Sequence, residues 1–347
     1  MSALSLDPVP DRGGPSQPLL IVTNLRKHFP IRGGLLNRVV ATVQAVDTLS
    51  FSVEKGETLG IVGESGCGKS TTARLLMRLI EPDDGAVVFD GDAVGAQDGI
   101  SVRQLRRAMQ MVFQDSYASL NPRLPIEESI SFGQRVHGIA KEAASVRSRD
   151  LLARVGLDPD RFARRYPHEL SGGQRQRVNI ARALALEPRL LILDEAVSAL
   201  DKSVEAQVLN LLADLREAFG LTYIFISHDL NVVRHISDRV MVMYLGKVVE
   251  IGPVDAVYAT PRHPYTQALL SAMPSMDPDR RTEVPPLSGD PPNPINPPSG
   301  CRFRTRCAWA EAACERAPAL TGLDAADEHA VACHREIAGS GHSGAPA

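Results

Sequence analysis

The sequence lacks any long hydrophobic run, although 44% of its 347 residues are hydrophobic. No apolar stretch approaches the roughly 18 residues that a membrane-spanning helix needs. The N-terminus, MSALSLDPVPDRGG, also lacks the charged-then-apolar order of a secretory signal peptide. We therefore expect the chain to be made and kept in the cytoplasm, so that any role at a membrane requires a partner protein.

An excess of charge of either sign is also missing. The 38 Lys and Arg residues nearly balance the 41 Asp and Glu residues, which leaves a net charge of -3. Bulk charge therefore gives no support to a nucleic-acid partner. Cysteine is scarce, with five residues in the chain, and in a reducing compartment these do not favour a disulfide framework. No internal repeat is visible, and the length suits about two domains at roughly 150 residues each.

The most informative stretch is GESGCGKS at residues 63–70. It fits the phosphate-loop pattern, with a β-capable segment (58–62) before it and a helix-forming segment (72–79) after it. The glycines let successive backbone N–H groups point inward, and the helix start adds a positive end. The alternative is a glycine-rich turn that merely starts a helix. The predicted nucleotide-binding residues are Gly63, Glu64, Ser65, Gly66, Cys67, Gly68, Lys69, Ser70 and Thr71, with Lys69 reaching the β- and γ-phosphates and Ser70 binding Mg²⁺.

Two adjacent acidic residues follow a continuous apolar run, LLIL at 190–193. Such a run is typical of a central parallel strand that is buried on both faces. It ends in Asp194 and Glu195, at the strand end where open α/β sheets place their ligands. Asp194 suits a magnesium shell, and Glu195 suits a general base that activates water. A solvated acidic turn is the alternative interpretation.

The segment LSGGQ at 170–174 indicates a second phosphate-binding device. Ser171 is a candidate N-cap, Gly172 and Gly173 allow close backbone approach, and Gln174 opens another helix with its own positive N-terminus. One nucleotide can use both devices only if two chains face each other. We therefore expect a head-to-tail dimer in which each subunit closes over the phosphate loop of the other.

As a set, these motifs resemble the nucleotide-binding subunit of an ATP-binding cassette (ABC) transporter, over about residues 19–255. The resemblance implies roles for further residues. Gln114 lies at the position of the switch glutamine near Mg²⁺, and the SALD segment at 198–201 matches the D-loop. His228 lies at the switch histidine that contacts the γ-phosphate, and Phe29 roughly at the aromatic residue that stacks on adenine. With Glu195, this makes Gln114 and His228 the predicted catalytic residues, and Ser70, Gln114 and Asp194 the predicted magnesium region.

The resemblance narrows to the oligopeptide/dipeptide importers, especially the second of their two ATPase subunits. The segment QMVFQDSYASLNPR at 110–123 and the HPYT segment at 263–266 are similar to that subfamily. It implies a second, different ATPase subunit, two membrane permeases and a substrate-binding protein, at the cytoplasmic face of the membrane. Nickel importers share this architecture, so a nickel importer ATPase remains an alternative. A soluble ABC-type ATPase is a further alternative, but those usually carry two cassettes or a long coiled-coil insertion. A P-loop kinase would have no use for the LSGGQ segment or His228.

Strand and helix patterns predict an α/β fold of the P-loop NTPase type. It has a parallel sheet, an antiparallel β subdomain, a helical insertion and a small cysteine-containing extension. We expect separate strands at 39–45 and 49–53 and helices at 126–137 and 140–155. The predicted domains are a disordered tail (1–18), the cassette (19–260, with the helical part at about 115–170), the extension (261–336, with a proline-rich connector at 285–298) and a flexible tail (337–347).

Four cysteines lie in the extension, namely Cys301, Cys307, Cys314 and Cys333. Structural zinc sites have ligands two to four residues apart in each pair, and these spacings are longer. Four thiolates also suit an iron–sulfur cluster, and the extension is similar to one that holds a [4Fe–4S] cluster in some peptide importers, so we expect such a cluster here. Zinc and free structural thiols remain alternatives. We further expect the arginines of this segment (Arg302, Arg304 and Arg306) to offset part of the charge of the thiolates.

Overall fold

The computed structural model describes residues 14, 17–34, 37–273, 292–322 and 329–346. The predicted N-terminal tail and the first part of the proline-rich connector fall largely outside the described residues. The strands are β1 (Leu20–Gly33), β2 (Arg38–Val53), β3 (Thr58–Val62), β4 (Asp84–Phe89), β5 (Asp92–Ala93), β6 (Met109–Val112), β7 (Leu190–Asp194), β8 (Thr222–Ile226), β9 (Arg239–Tyr244), β10 (Lys247–Pro253) and β11 (Ala330–Val331).

The α-helices are α1 (Lys69–Leu76), α2 (Val102–Ala108), α3 (Ile126–Val136), α4 (Lys141–Arg154), α5 (Pro159–Phe162), α6 (Gly172–Leu184), α7 (Lys202–Phe219), α8 (Leu230–Ile236), α9 (Val254–Ala259) and α10 (Pro264–Ser271). Short 3₁₀ helices lie at Pro167–Glu169, Ala312–Glu315 and His334–Glu336. Within the described ranges, no helix combines the length and apolar character needed to cross a membrane.

The chain forms two compact units. Of the described residues, the first unit contains those up to Leu20, Ser52–Thr58 and Val88–Ser227, and the second contains those in Ile21–Phe51, Leu59–Val87 and from His228 onward.

In the first unit, β6, β7 and β8 form a parallel array with β7 in the middle. The apolar run of β7, residues 190–193, is fully buried. This burial on both faces is what a continuous apolar strand in a parallel sheet requires. The array ends with the Asp194 carboxylate, which is also buried.

The helical insertion follows β6 in the same unit. Its helices α3 and α4 pack on each other and on α6, which follows the insertion, and Ile130, Leu152 and Val178 are fully buried. Helices α3 and α4 match the predicted ranges to within one residue at each end. The sequence predicts them correctly because each repeats apolar residues at helical spacing between clear turn signals.

In the second unit, β3 pairs in parallel with β9, and β9 and β10 form the predicted antiparallel hairpin. Strand β11 extends this pair, with Glu250 and Ile251 opposite Val331 and Ala330. Strand β1 lies between β2 and β4 in a separate sheet. The predicted α/β class, with parallel strands, antiparallel strands and a helical insertion, is therefore confirmed.

The predicted break between residues 45 and 49 is wrong. One strand, β2, runs through it without interruption. Thr48 adopts a positive φ of 54°, so the strand can bend there without ending. No Gly or Pro lies between these residues to stop the ladder, and the buried residues Val46 and Leu49 fix the strand on both sides of the bend.

Two residues near the C-terminal end, Ser340 and His342, make hydrogen bonds to the extension. The buried ring of His342 lies 2.8 Å from the carbonyl oxygen of Trp309 through Nε2. The Arg316 guanidinium donates to the carbonyl of Ser340 at 2.7 Å. These bonds attach residues 340–342 to the part of the extension that carries the cysteines.

Candidate functional site

The phosphate loop begins directly after β3, whose five residues are all buried. Gly63 has a φ of 148°, and a Cβ there would lie 2.2 Å from the carbonyl oxygen of Met243. Gly68 has a φ of 109°, and a Cβ there would lie 2.3 Å from the carbonyl oxygen of Ala45. At these two positions both the backbone angle and the space require glycine. The loop is therefore held tightly against the surrounding backbone.

Lys69 occupies the centre of this loop. Its side chain is buried, and its ammonium group donates to the carbonyl oxygens of Gly63 at 2.7 Å and Glu64 at 3.1 Å. The ammonium group also lies 3.9 Å from the Cys67 sulfur, and a buried cation held by neutral groups such as these is poised to receive an anion. Burial raises the pKa of the neighbouring Cys67 thiol, which keeps it neutral, and its carbonyl accepts the N–H of Gly246 at 2.8 Å.

Glu195 and Gln114 are brought together in the first unit. The Gln114 amide nitrogen donates to the Glu195 carboxylate at 2.8 Å, although the two residues are 81 positions apart in the chain. Gln114 is exposed and Glu195 is half-buried. The carboxylate is thus accessible and is held by a side chain that follows a different strand, β6.

The backbone at Glu195 is unusual. Its φ is 48°, in the left-handed region that non-glycine residues rarely adopt. The Glu195 N–H donates to the carbonyl of Ile226 at 2.9 Å, which fixes this conformation at the end of β7. Such backbone conformations cluster at functional sites, where the surrounding structure supports their cost.

The LSGGQ segment starts α6 with a capping box. The Gln174 N–H donates to the Ser171 hydroxyl at 3.3 Å, and the Ser171 N–H donates to the Gln174 side-chain oxygen at 3.0 Å. This confirms Ser171 as the predicted N-cap. Gly173 is buried, and a Cβ there would lie 2.4 Å from Val204. The helix N-terminus is therefore packed closely on α7.

Helix α6 is also bonded to the loop that follows Gln114. The Asn179 amide donates to the carbonyl of Ser116 at 3.0 Å, and the Arg182 guanidinium donates to the carbonyl of Ser119. The Arg175 guanidinium lies 5.4 Å from the centre of the Tyr117 ring. Movement of the segment 115–120 would therefore be transmitted to the LSGGQ helix.

Two other predicted residues lie on the second unit. His228 is exposed and comes just before Asp229, whose carboxylate caps α8 by accepting the N–H groups of Asn231 and Val232. Phe29 lies half-exposed on β1, with the Lys27 ammonium 5.6 Å from the centre of its ring. Both side chains are therefore at least partly exposed at the surface of this unit.

Comparison with known proteins identifies the family. The family model described as ABC transporter matches residues 46–198, and the one described as oligopeptide/dipeptide transporter, C-terminal region, matches residues 249–314. A probable peptide ABC transporter ATP-binding protein of Sinorhizobium fredii is 53% identical over 322 residues, or 92% of this chain and 90% of that protein. The chain belongs to the ATP-binding subunits of ABC transporters.

Other relatives agree with this assignment. The oligopeptide transport ATP-binding protein AppF of Bacillus subtilis is 52% identical over 91% of this chain and 97% of that protein. Among solved structures, cbiO1 of Clostridium perfringens, part of an ABC transporter complex, has a TM-score of 0.60 at 28% identity and covers 71% of this chain and 92% of that chain. A dimeric ATP-binding cassette bound to ADP and phosphate has a TM-score of 0.58 at 28% identity, covering 68% and 98%. The protein is thus an ATPase with the ABC ATPase fold.

The four cysteines of the ATPase extension line one small cavity. The Cys301 N–H donates to the carbonyl of Cys314 at 3.0 Å. Burial raises the pKa of the Cys301 thiol to about 11 and that of Cys333 to about 12. In the described ranges, no group of three or more His, Cys, Asp or Glu side chains is arranged to hold a metal ion.

The expectation that three arginines offset the thiolate charge is wrong for two of them. Arg302 bonds to the Asp47 carboxylate at 2.6 Å, and Arg306 bonds to the Glu64 carboxylate at 2.7 Å. Each of these guanidinium groups is paired with a carboxylate of the same unit, so its charge is balanced there and not by the thiolates. The sequence did not predict that Arg306 lies beside the phosphate loop. The alternating arginines at 302, 304 and 306 do not indicate which of them would reach the loop.

Proposed function

We propose that this ATPase powers the import of peptides through partner membrane permeases. The observation that carries the proposal is the identity of 52–53%, over about nine-tenths of the chain, to proteins named for peptide transport. The match at residues 249–314 to the family model described as oligopeptide/dipeptide transporter, C-terminal region, agrees with it. The Brucella ovis relative, 52% identical over 86% of this chain and 92% of that protein, is named a putative peptide import ATP-binding protein. These names favour peptides over the nickel alternative.

In the proposed mechanism, the phosphate loop binds ATP and Glu195 activates water. The loop N–H groups and Lys69 contact the phosphates, Ser70 and Asp194 belong to the magnesium region, and His228 contacts the γ-phosphate. The carboxylate of Glu195 accepts a proton from water as it attacks, and the bond from Gln114 orients that carboxylate. Mg²⁺ supplies charge neutralisation at the phosphates when it is bound.

The proposed active assembly is a head-to-tail pair of cassettes. The capped N-terminus of α6, with Ser171, Gly172 and Gly173, would face the phosphate loop of a second ATPase subunit. The pair would lie at the cytoplasmic face of the membrane beneath two permeases, to which a substrate-binding protein delivers cargo. No nucleic acid takes part.

The helical insertion is the proposed permease contact. It carries exposed apolar side chains at Tyr117, Phe132, Val136 and Val146, and the segment after Gln114 is bonded to α6. Single cysteines at Phe132 and Val146, in a chain still able to hydrolyse ATP, should crosslink to the permease. A cysteine at Phe219, exposed on α7, is the matched control. Crosslinks only from the C-terminal extension would refute this surface.

We assign a structural [4Fe–4S] cluster to Cys301, Cys307, Cys314 and Cys333. The support is that all four cysteines line one cavity and that four thiolates are the usual ligands of such a cluster. When bound, the cluster would supply crosslinks to a segment with little core of its own. Anaerobically purified protein should be brown and contain iron and acid-labile sulfide. Colourless protein with stoichiometric zinc would contradict the assignment.

Uptake measurement tests the proposed function directly. A strain that lacks this subunit should recover uptake of labelled di- and oligopeptides when the parent chain is supplied. The Lys69→Ala variant should not restore uptake, because the charge that faces the phosphates is lost. Restored nickel uptake with no effect on peptides would reject the peptide assignment.

A further inference from the structure

The C-terminal extension contacts the phosphate loop itself. Arg306 makes a bidentate pair with the Glu64 carboxylate, with its two terminal nitrogens at 2.7 Å and 3.1 Å from the two oxygens. The Arg306 side chain is only 6% exposed, so water weakens this pair little. Glu64 is the second residue of the loop, and Arg306 adjoins Cys307 in a segment 242 positions away.

Glu64 is held at three points. Its carboxylate is bonded to Arg306, its N–H donates to the Tyr265 hydroxyl at 2.8 Å, and its carbonyl accepts from the Lys69 ammonium at 3.1 Å. Two of these partners belong to the C-terminal part of the chain. The position of the Glu64 carbonyl, and with it the position of the Lys69 ammonium, therefore depends on the extension.

An aromatic cluster fixes these partners. The Tyr244 and Tyr265 rings lie 4.6 Å apart, and Phe303 packs against them at 5.3 Å and 5.4 Å. The Tyr244 and Tyr265 side chains are almost fully buried. The Arg306 guanidinium lies 5.9 Å from the centre of the Tyr244 ring. Buried rings of this kind hold a guanidinium in one orientation.

We propose that Arg306 is a positioning residue for nucleotide binding, which acts through Glu64 to hold the phosphate loop in its ATP-accepting shape. This inference rests on the proposed ATP site. Two physical effects point the same way. The pair orders the loop before the nucleotide arrives, which lowers the entropy lost on binding. It also neutralises a carboxylate that would otherwise repel the phosphates.

Titration of the full chain with ATP tests the proposal. Arg306→Ala should raise the dissociation constant for ATP about tenfold, the loss expected when one strong charge-assisted contact disappears. Arg306→Lys keeps the charge but not the bidentate geometry and should fall between Arg306→Ala and the parent. Arg304→Ala is the matched control, since Arg304 in the same segment bonds instead to the Ser299 hydroxyl and should leave ATP affinity unchanged.

A double-mutant cycle shows whether Arg306 acts through Glu64. In a Glu64→Ala background, Arg306→Ala should change ATP affinity by less than about twofold, because the partner is already absent. The same tenfold loss in both backgrounds, or no loss in the parent background, would overturn the proposal. Tyr265→Phe removes only the hydroxyl that accepts the Glu64 N–H and should also weaken binding while the ring packing is kept.

The outcome for the proposed function is read separately. If the parent chain fails to bind ATP, or Lys69→Ala binds as well as the parent, the proposed ATP site is wrong. If the parent binds ATP, Lys69→Ala does not, and Arg306→Ala binds like the parent, only the positioning role is wrong. Unfolding midpoints of all variants identify any variant that has lost its fold, in which case Arg306→Lys and Tyr265→Phe decide.

Discussion

Replacing Glu250 by Gln should loosen the attachment of the extension to β10. The Glu250 side chain is fully buried. Its carboxylate accepts the N–H groups of Arg262 at 2.7 Å and His263 at 2.9 Å, and it lies 2.7 Å from Nε2 of His329. A glutamine of the same shape has one acceptor oxygen in place of two and introduces an NH₂ donor that faces donors.

The magnitude follows from the bonds that are lost. The substitution leaves at least one buried N–H without an acceptor, at a cost of about 1–3 kcal/mol. It also removes the charge that strengthens the remaining bonds, and disruption of a buried charged contact typically costs about 3–5 kcal/mol. We therefore expect a local destabilisation of about 3 kcal/mol at the junction of Glu250 with the segment that begins at Arg262.

Hydrogen exchange is the suitable assay because it reports each segment without assuming two-state unfolding. The amides of Arg262 and His263 should exchange about a hundredfold faster in Glu250→Gln, the change that about 3 kcal/mol predicts. Glu315→Gln is the control, since the Glu315 side chain is 72% exposed and its loss should leave those amides unchanged. Exchange in Glu250→Gln within threefold of the parent would refute the reasoning.

Three further predictions concern pH and backbone. Burial raises the pKa of Glu250, but the hydrogen bonds from His329, Thr266 and two backbone N–H groups outweigh burial, so the pKa is lowered. The stability that the Glu250 carboxylate contributes is therefore complete above its ordinary pKa near 4.5 and is lost as the pH falls through the lower pKa of the folded state. In Glu250→Gln, the free energy of unfolding should depend less steeply on pH in this range, as measured by acid unfolding. Gly68→Ala should abolish ATP binding because the new methyl group would lie 2.3 Å from the carbonyl oxygen of Ala45. Gly138→Ala is the control: Gly138 also has a positive φ of 89° but open space around it, so the substitution should lower stability by only about 1 kcal/mol. Ser171→Ala removes the α6 cap and should lower stability by about 1 kcal/mol in urea titrations.

The local motifs were predictable from sequence because their physics is short-range. The phosphate loop needs glycines, a cation and a helix start within about ten residues, and the capping box needs Ser171 and Gln174 three residues apart. The apolar run of β7 likewise predicts its own burial. Each of these features could be derived without knowing what lies elsewhere in the chain.

The contacts between distant segments could not be predicted. Arg306 and Glu64 are 242 positions apart, and Arg302 and Asp47 are 255 apart. The residues near an arginine in the sequence do not indicate which distant carboxylate it will contact. The sequence therefore suggested only that these arginines balance the charge of the nearby cysteines. The continuous strand through Thr48 was missed for a related reason, since its positive φ is supported by tertiary packing and not by a local glycine.

The most direct test of the account compares ATP binding and hydrolysis in Glu195→Gln, within the proposed assembly of two ATPase subunits and their permeases. The amide keeps the shape of the side chain that Gln114 contacts but cannot accept a proton from water. We predict unchanged ATP affinity, an ATP-loaded closed dimer that persists, and hydrolysis reduced by at least about 10²-fold. Hydrolysis within a few-fold of the parent would contradict the assignment of Glu195 as the general base.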